Sequence, residues 1–243
     1  MFPAQVQVFE DCDTVTSHVA NEFVQLALRT QQEKGYFSAI LGGGKTPVSV
    51  NEKILNNPLS AQVDGSRLLF FFSDERCVPP EHPASNYRML CETLFQPLGV
   101  PDANIYRMEG ELAPSVAAVR YEERLRRVLP GESPSQIDLA LLGLGPDGHT
   151  ASLFPGRPAL HERVRFAAPA GKGPEGIERI SLTYPVINNA SRVWFMVCGA
   201  EKKEAVKALL GRDGDPDRCP ACGVKPINGQ LIYIVEKCAF SSF

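Results

Sequence analysis

The chain has no excess of charge of one sign: 25 Lys and Arg stand against 28 Asp and Glu in 243 residues, a formal net charge of -3. Without a basic field, neither a nucleic-acid backbone nor an anionic lipid surface is drawn to it, so no nucleic acid and no membrane is expected as a partner. A single small anion is another matter, since two or three local donors suffice to hold a phosphate. No run approaches the roughly 18 apolar residues of a bilayer span. The opening residues Met1 to Asp11 lack the basic and apolar regions of a secretory leader, and the final Ser-Ser-Phe is not a Ser-Lys-Leu peroxisomal address. The expectation is a cytoplasmic protein. Internal repeats, low-complexity tracts and interdomain linkers are also absent from the sequence, so residues 1–243 read as one domain. The seven cysteines (Cys12, Cys77, Cys91, Cys198, Cys219, Cys222 and Cys238) are an odd set scattered through the chain, and read as reduced thiols.

What is present is an alternation of two patterns, with 44% hydrophobic residues to fill a core. Short β-branched or aromatic runs predict strands over Val6 to Phe9, Phe37 to Leu41, Leu68 to Phe72, Ile137 to Leu142, Arg179 to Thr183, Val193 to Cys198 and Leu231 to Val235. Between them, apolar residues recur three or four apart. The first helix is to be capped by Asp13 or Thr14, carries Val15, Val19, Phe23 and Leu26 on one stripe, and stops at Gly35. Others follow Pro47, Ser85, Ala113 and Glu201, the third with Val116, Val119 and Leu125 on a stripe that ends at Pro130 and Gly131. Pro- and Gly-rich loops are expected over 155–176 and 211–229. The fold class is therefore α/β: an open, mostly parallel Rossmann-like sheet with helices on both faces.

Four segments carry chemistry. Leu41-Gly42-Gly43-Gly44-Lys45-Thr46-Pro47 runs from a buried strand into a helix; it is either a phosphate-binding turn, with N–H groups freed by glycine, or simply a tight connection. It matches neither a Walker A loop nor a dinucleotide fingerprint. Ser73-Asp74-Glu75-Arg76 follows another strand, where ligands of an open parallel sheet bind. Arg76 there is either an anion clamp or the partner of a neighbouring carboxylate. The run Gly143-Leu144-Gly145-Pro146-Asp147-Gly148-His149-Thr150 presents an Asp and a His just past a strand end, as a general base and its orienting group would be. Arg179 and Lys202, in Glu178-Arg179-Ile180-Ser181-Leu182-Thr183 and Gly199-Ala200-Glu201-Lys202, are further candidate phosphate donors or else solvated cations. Cys219-Pro220-Ala221-Cys222 has metal-site spacing but no second ligand pair, so no metal is assigned to it. Glu122 to Arg127 reads as a wet helix face with i,i+4 pairs.

In this order the segments resemble the 6-phosphogluconolactonase family, within the group that includes glucosamine-6-phosphate deaminase. The resemblance rests on Gly-Gly-x-Thr-Pro at 43–47, Asp-Glu-Arg at 74–76, Ser-Asn-Tyr at 85–87, the His149 segment to Gly156, Glu-Arg-Ile-Ser-Leu-Thr at 178–183 and Gly-Ala-Glu-Lys at 199–202. It implies hydrolysis of a sugar-phosphate lactone, 6-phospho-D-glucono-1,5-lactone, with no metal or organic cofactor, by a monomer or weak homo-oligomer. By motif match, His149 and Asp147 would be catalytic; Gly43, Gly44, Lys45, Thr46, Asp74, Arg76, Arg179 and Lys202 would bind substrate and phosphate. Gly42, Lys45 and Ala84 depart from the family pattern, as does Glu236 to Ala239. The deaminase pattern instead has Asp-Glu-Tyr and a different run after the His; Arg76 and Thr150 to Pro155 favour the lactonase. A non-catalytic sugar-phosphate sensor would keep the cations and lose the base.

Overall fold

The computed structural model describes residues 4–129, 136–211 and 214–240. The helix stop expected at Pro130 and Gly131 lies outside them.

The central apolar runs pair as parallel strands because they have no polar face to turn to water, whereas β1 (Gln5–Phe9), at the sheet edge, alternates Gln and Val and is largely exposed. Every residue of β2 (Phe37–Leu41) is buried, which requires cover on both faces. The main sheet contains β1 (Gln5–Phe9), β2, β3 (Leu68–Phe72), β5 (Ile105–Tyr106), β6 (Leu139–Gly143), β9 (Arg192–Val197) and β10 (Gln230–Glu236). Its order is β1-β10-β9-β6-β2-β3-β5, and all its pairings are parallel. A three-stranded antiparallel sheet, β4-β8-β7, is formed by β4 (Asp74–Arg76), β7 (Ala167–Lys172) and β8 (Glu178–Leu182). The run expected at Arg179 to Thr183 therefore belongs to this second sheet. The expected loop at 155–176 contains β7, and β4 and β5 were not foreseen.

The helices are α1 (Cys12–Lys34), α2 (Lys45–Leu55), α3 (Asn86–Leu90), α4 (Pro114–Val128), α5 (Tyr184–Ile187) and α6 (Lys203–Leu210). Asp11 caps α1, its carboxylate accepting from Thr14 N at 2.8 Å, two residues ahead of the expected cap. Gly35 ends that helix in the left-handed conformation, φ 88°. On α4 the buried face is Ala117, Ala118, Tyr121 and Leu125, while Val116 and Val119 are exposed. The expected valine stripe is thus corrected: the small alanines let α4 approach the sheet, and Tyr121 reaches in to receive and return hydrogen bonds with Phe72. Arg126 pairs with Glu122 one turn away, as the charge pattern predicts. No helix among the described residues is long and apolar enough to cross a membrane.

One expectation about cysteine is overturned. Cys12 and Cys198 form a disulfide across 186 residues of sequence, with Cα atoms 5.4 Å apart; Cys77, Cys91, Cys219, Cys222 and Cys238 are free. The sheet order supplies the reason, since β1 and β9 flank β10 in parallel, so that the segments leaving both strands emerge at the same edge of the sheet, one strand apart. Spacing along the chain carries no trace of that meeting. Cys12, Cys198 and Glu236 are the one group of potential metal-ligating atoms found close together among the described residues, and the disulfide occupies both sulfurs.

Candidate active site

Strands β9, β6, β2 and β3 are contiguous, and the segments leaving their C-terminal ends surround a cavity of about 430 Å³. Gly43, Gly44, Lys45, Thr46, Asp74, Arg76, His149, Arg179 and Lys202 all line it. Of the sequence-derived set only Asp147 does not, standing beside His149 instead.

The turn that carries His149 is built by glycine. Gly145 N donates to His149 O (2.8 Å) and Gly148 N to Gly145 O (3.0 Å), with Gly148 at φ 82°. A Cβ on Gly145 would overlap both the imidazole and the Asp147 carboxylate, so the pair needs a bare backbone beneath it. Behind the turn, Ala221 N donates to Gly148 O at 2.9 Å, and Cys219 fills the space a side chain on Gly148 would need. The Cys-Pro-Ala-Cys segment thus buttresses this turn. Ala151, at φ 50°, is the described non-glycine residue held in the left-handed region, a strained conformation that the flanking bonds maintain. Those bonds run from Thr150 Oγ1 to Gly143 O (2.9 Å) and from Ser152 N to Ser181 Oγ (3.2 Å).

Asp147 Oδ1 lies 2.5 Å from His149 Nδ1 and accepts the His149 backbone N–H at 3.1 Å. Partial burial opposes the charge on Asp147, but hydrogen bonding and attraction from His149 outweigh it and hold the carboxyl below its ordinary range. An ionised carboxylate can only accept, so Nδ1 carries the hydrogen and Nε2 is the basic nitrogen of the neutral ring. The ring also packs on Phe154, centroids 4.7 Å apart.

A second cluster gathers cations. Gly44 precedes α2 at φ 126°, and the first N–H groups of that helix have no acceptor within it. A Cβ on Gly43 would overlap Asn86, whose Nδ2 donates to Asp74 O at 2.9 Å and whose Oδ1 accepts from Arg76 Nη1. Asp74 is buried and engaged on both oxygens: Oδ1 accepts from Ser73 Oγ (2.8 Å), Oδ2 from Ser152 Oγ (2.6 Å) and Arg179 Nη1 (3.2 Å). It therefore braces the segments that carry Arg179 and His149. Glu175, in the turn between β7 and β8, approaches Arg179 Nη2 at 2.5 Å and Arg76 Nε at 3.8 Å. Lys202 Nζ is 3.7 Å from Glu201. Among the described residues, Arg76 Nε and Arg179 Nε are buried without a hydrogen-bond partner, which leaves two charged donors with unmet hydrogen-bonding capacity beside the cavity.

The sequence assigned no role to Asn86, Ser152 or Glu175, and Glu75 entered only with Asp74 as the alternative ion partner of Arg76, a place that Glu175 takes in the structure. Asn86, Ser152 and Glu75 lie within the motifs, where the amide of Asn86 at the start of α3 and the hydroxyl of Ser152 after the His149 turn were the available signals; Glu175 had none.

The glucosamine-6-phosphate isomerases/6-phosphogluconolactonase family model matches residues 10–233. The 6-phosphogluconolactonase of Rattus norvegicus is 33% identical, with 98% of this chain and 93% of that protein covered. The chloroplastic 6-phosphogluconolactonase 3 of Arabidopsis thaliana is 32% identical over 98% of this chain and 74% of its own. In three dimensions the chain is similar to the 6-phosphogluconolactonase of Trypanosoma brucei, with a TM-score of 0.86 at 25% identity and 98% of both chains covered. The chain belongs to the glucosamine-6-phosphate isomerase and 6-phosphogluconolactonase family.

Proposed function

We propose that this chain hydrolyses 6-phospho-D-glucono-1,5-lactone to 6-phospho-D-gluconate. One observation carries the reading: a single cavity holds an imidazole oriented by a carboxylate together with two arginines whose buried Nε–H groups lack acceptors. In this mechanism Nε2 of His149 takes a proton from water as its oxygen adds to the lactone carbonyl. Asp147 keeps the ring in the required tautomer and stabilises the imidazolium that forms. Collapse of the tetrahedral intermediate breaks the bond to the ring oxygen, which receives the proton back from His149. Arg76 and Arg179, with the N–H groups at Gly43 to Thr46 and the ammonium groups of Lys45 and Lys202, hold the phosphate. Because that group is remote from the carbonyl, its binding energy serves to position the ring.

The test follows lactone hydrolysis by the purified protein against the spontaneous rate. His149→Ala should lower kcat by about 10²- to 10⁴-fold, and Arg179→Ala should raise KM by roughly 10- to 100-fold. A fully active His149→Ala protein overturns the mechanism, and release of ammonia from glucosamine 6-phosphate would assign the chain to the other branch of its family.

A further inference from the structure

We infer that Glu175 is an internal competitor for the phosphate site, a carboxylate that the substrate's phosphate must displace, and that it thereby sets substrate affinity and speeds product release. The inference rests on the phosphate assignment made above for Arg76 and Arg179.

The geometry supplies the argument. Glu175 sits in the turn between β7 and β8, closed by Gly173 N to Ile177 O and Gly176 N to Gly173 O, both 2.9 Å. One carboxylate oxygen, Oε1, is within reach of both guanidiniums, at 2.5 Å from Arg179 Nη2 and 3.8 Å from Arg76 Nε. The two arginine side chains are 9% and 23% exposed and Glu175 is 35% exposed, so this carboxylate caps two largely buried cations from the solvent side. A Cβ on Gly173 would overlap Arg179 Nε and Glu175 Oε2, so the turn approaches this closely only because position 173 has no side chain. Gly171 and Gly176, at φ 76° and 79°, flank the segment, and a register shift interrupts β7 between Pro169 and Gly171.

Two states follow. With Glu175 inward, it takes the field of both arginines that a phosphate needs; with Glu175 outward, its carboxylate is hydrated and the arginines are open. A phosphate monoester carries about -1.5 to -2 charges at neutral pH and outbids one carboxylate. The observed affinity is the intrinsic one reduced by the fraction of molecules in the open state. After hydrolysis the same carboxylate competes with the product's phosphate. A ligand without a phosphate does not contest this position and is indifferent to it.

The experiment uses Glu175→Gln, which keeps size and removes the charge, measured in the full chain beside wild type. KM for the phospholactone, the inhibition constant of 6-phosphogluconate and the dissociation constant of inorganic phosphate should all fall about five- to tenfold, corresponding to roughly 1–1.4 kcal/mol. Inhibition by unphosphorylated glucono-1,5-lactone should not move. Glu175→Asp, whose shorter arm retracts the charge, should fall between the two. Weaker or unchanged phosphate binding in Glu175→Gln overturns the proposal, because a residue that merely braces Arg179 would lose affinity when altered. If Arg179→Ala leaves phosphate and 6-phosphogluconate binding intact, it is the underlying phosphate assignment that fails.

Discussion

At the scale of single residues, Asp147 has the most distinctive electrostatic position. Its carboxyl is held low by the His149 imidazole, against the opposing effect of its burial, so the pair stays charge-assisted down through the ordinary Asp range near pH 3.9. The sign is that of a depressed acid: whatever the pair contributes to stability is present above that range and is lost as pH falls through the lowered value. Activity between pH 5 and 9 should accordingly show no limb due to Asp147. Asp147→Asn leaves a similar shape without the charge, and is expected to lower kcat by about 10- to 10³-fold with KM nearly constant, the reverse of the split expected at Arg179. Steady-state kinetics of the two variants side by side checks this; a rise in KM alone at Asp147→Asn would make it a turn-closing residue only. The pairing itself was legible in the spacing Asp-Gly-His after a strand. The need for glycine at 145 was not, because it arises from the folded turn packing against the two side chains.

At the scale of elements, the joint between β4 and α3 depends on one buried carboxylate. Glu75 Oε1 accepts from Arg76 N (2.8 Å) and Asn86 N (2.7 Å), and Oε2 from Tyr87 N (2.8 Å) and Ser85 Oγ (3.2 Å). A side chain from the strand thus serves the first N–H groups of the helix, and so fixes Asn86 under Gly43 and beside Arg76. Burial still dominates, and pushes the Glu75 carboxyl above its usual value despite those donors. A raised acid stabilises the fold most below its unfolded value, near pH 4.3, and that contribution is lost as pH rises through the folded value. Urea denaturation from pH 4 upward should show wild type losing stability relative to Glu75→Gln; Glu75→Ala should cost about 2–4 kcal/mol, with several donors left unpaired. A flat difference across pH would show that Glu75 is not held above its usual range. Elements of this kind mark the limit of sequence reading. Strands β2 and β3 were legible to the residue because Phe37–Leu41 and Leu68–Phe72 are apolar save for Ser38 and bounded by turns. Strand β4 is Asp-Glu-Arg, and β7 is Ala-Ala-Pro-Ala-Gly-Lys; neither has the β-branched or aromatic content that signals a strand, and both exist because β8 pairs with them. The valines of α4 misled for the opposite reason, since apolar identity was read as burial where alanine and tyrosine form the packed face.

At the scale of the whole molecule, the Cys12–Cys198 bond ties the start of α1 to the rim of the cavity, where Cys198 stands four residues from Lys202. Closing so long a loop restricts the unfolded chain, and disulfides of this kind contribute about 2–4 kcal/mol. Calorimetry in reducing buffer, or on a Cys12→Ser and Cys198→Ser double variant, should show Tm lower by roughly 4–16 °C for a chain of this size. An unchanged Tm would mean that the bond adds nothing to stability. The same sheet order that creates the bond has a consequence for synthesis. Strand β1 is a sheet edge whose one neighbour is β10, and β10 also separates it from β9. At about 5–20 residues per second, β1 leaves the ribosome on the order of 10–45 s before its partner does. During that interval the nascent chain can assemble the β6-β2-β3-β5 side of the sheet but must keep its first strand waiting, a window in which a chaperone has something to hold.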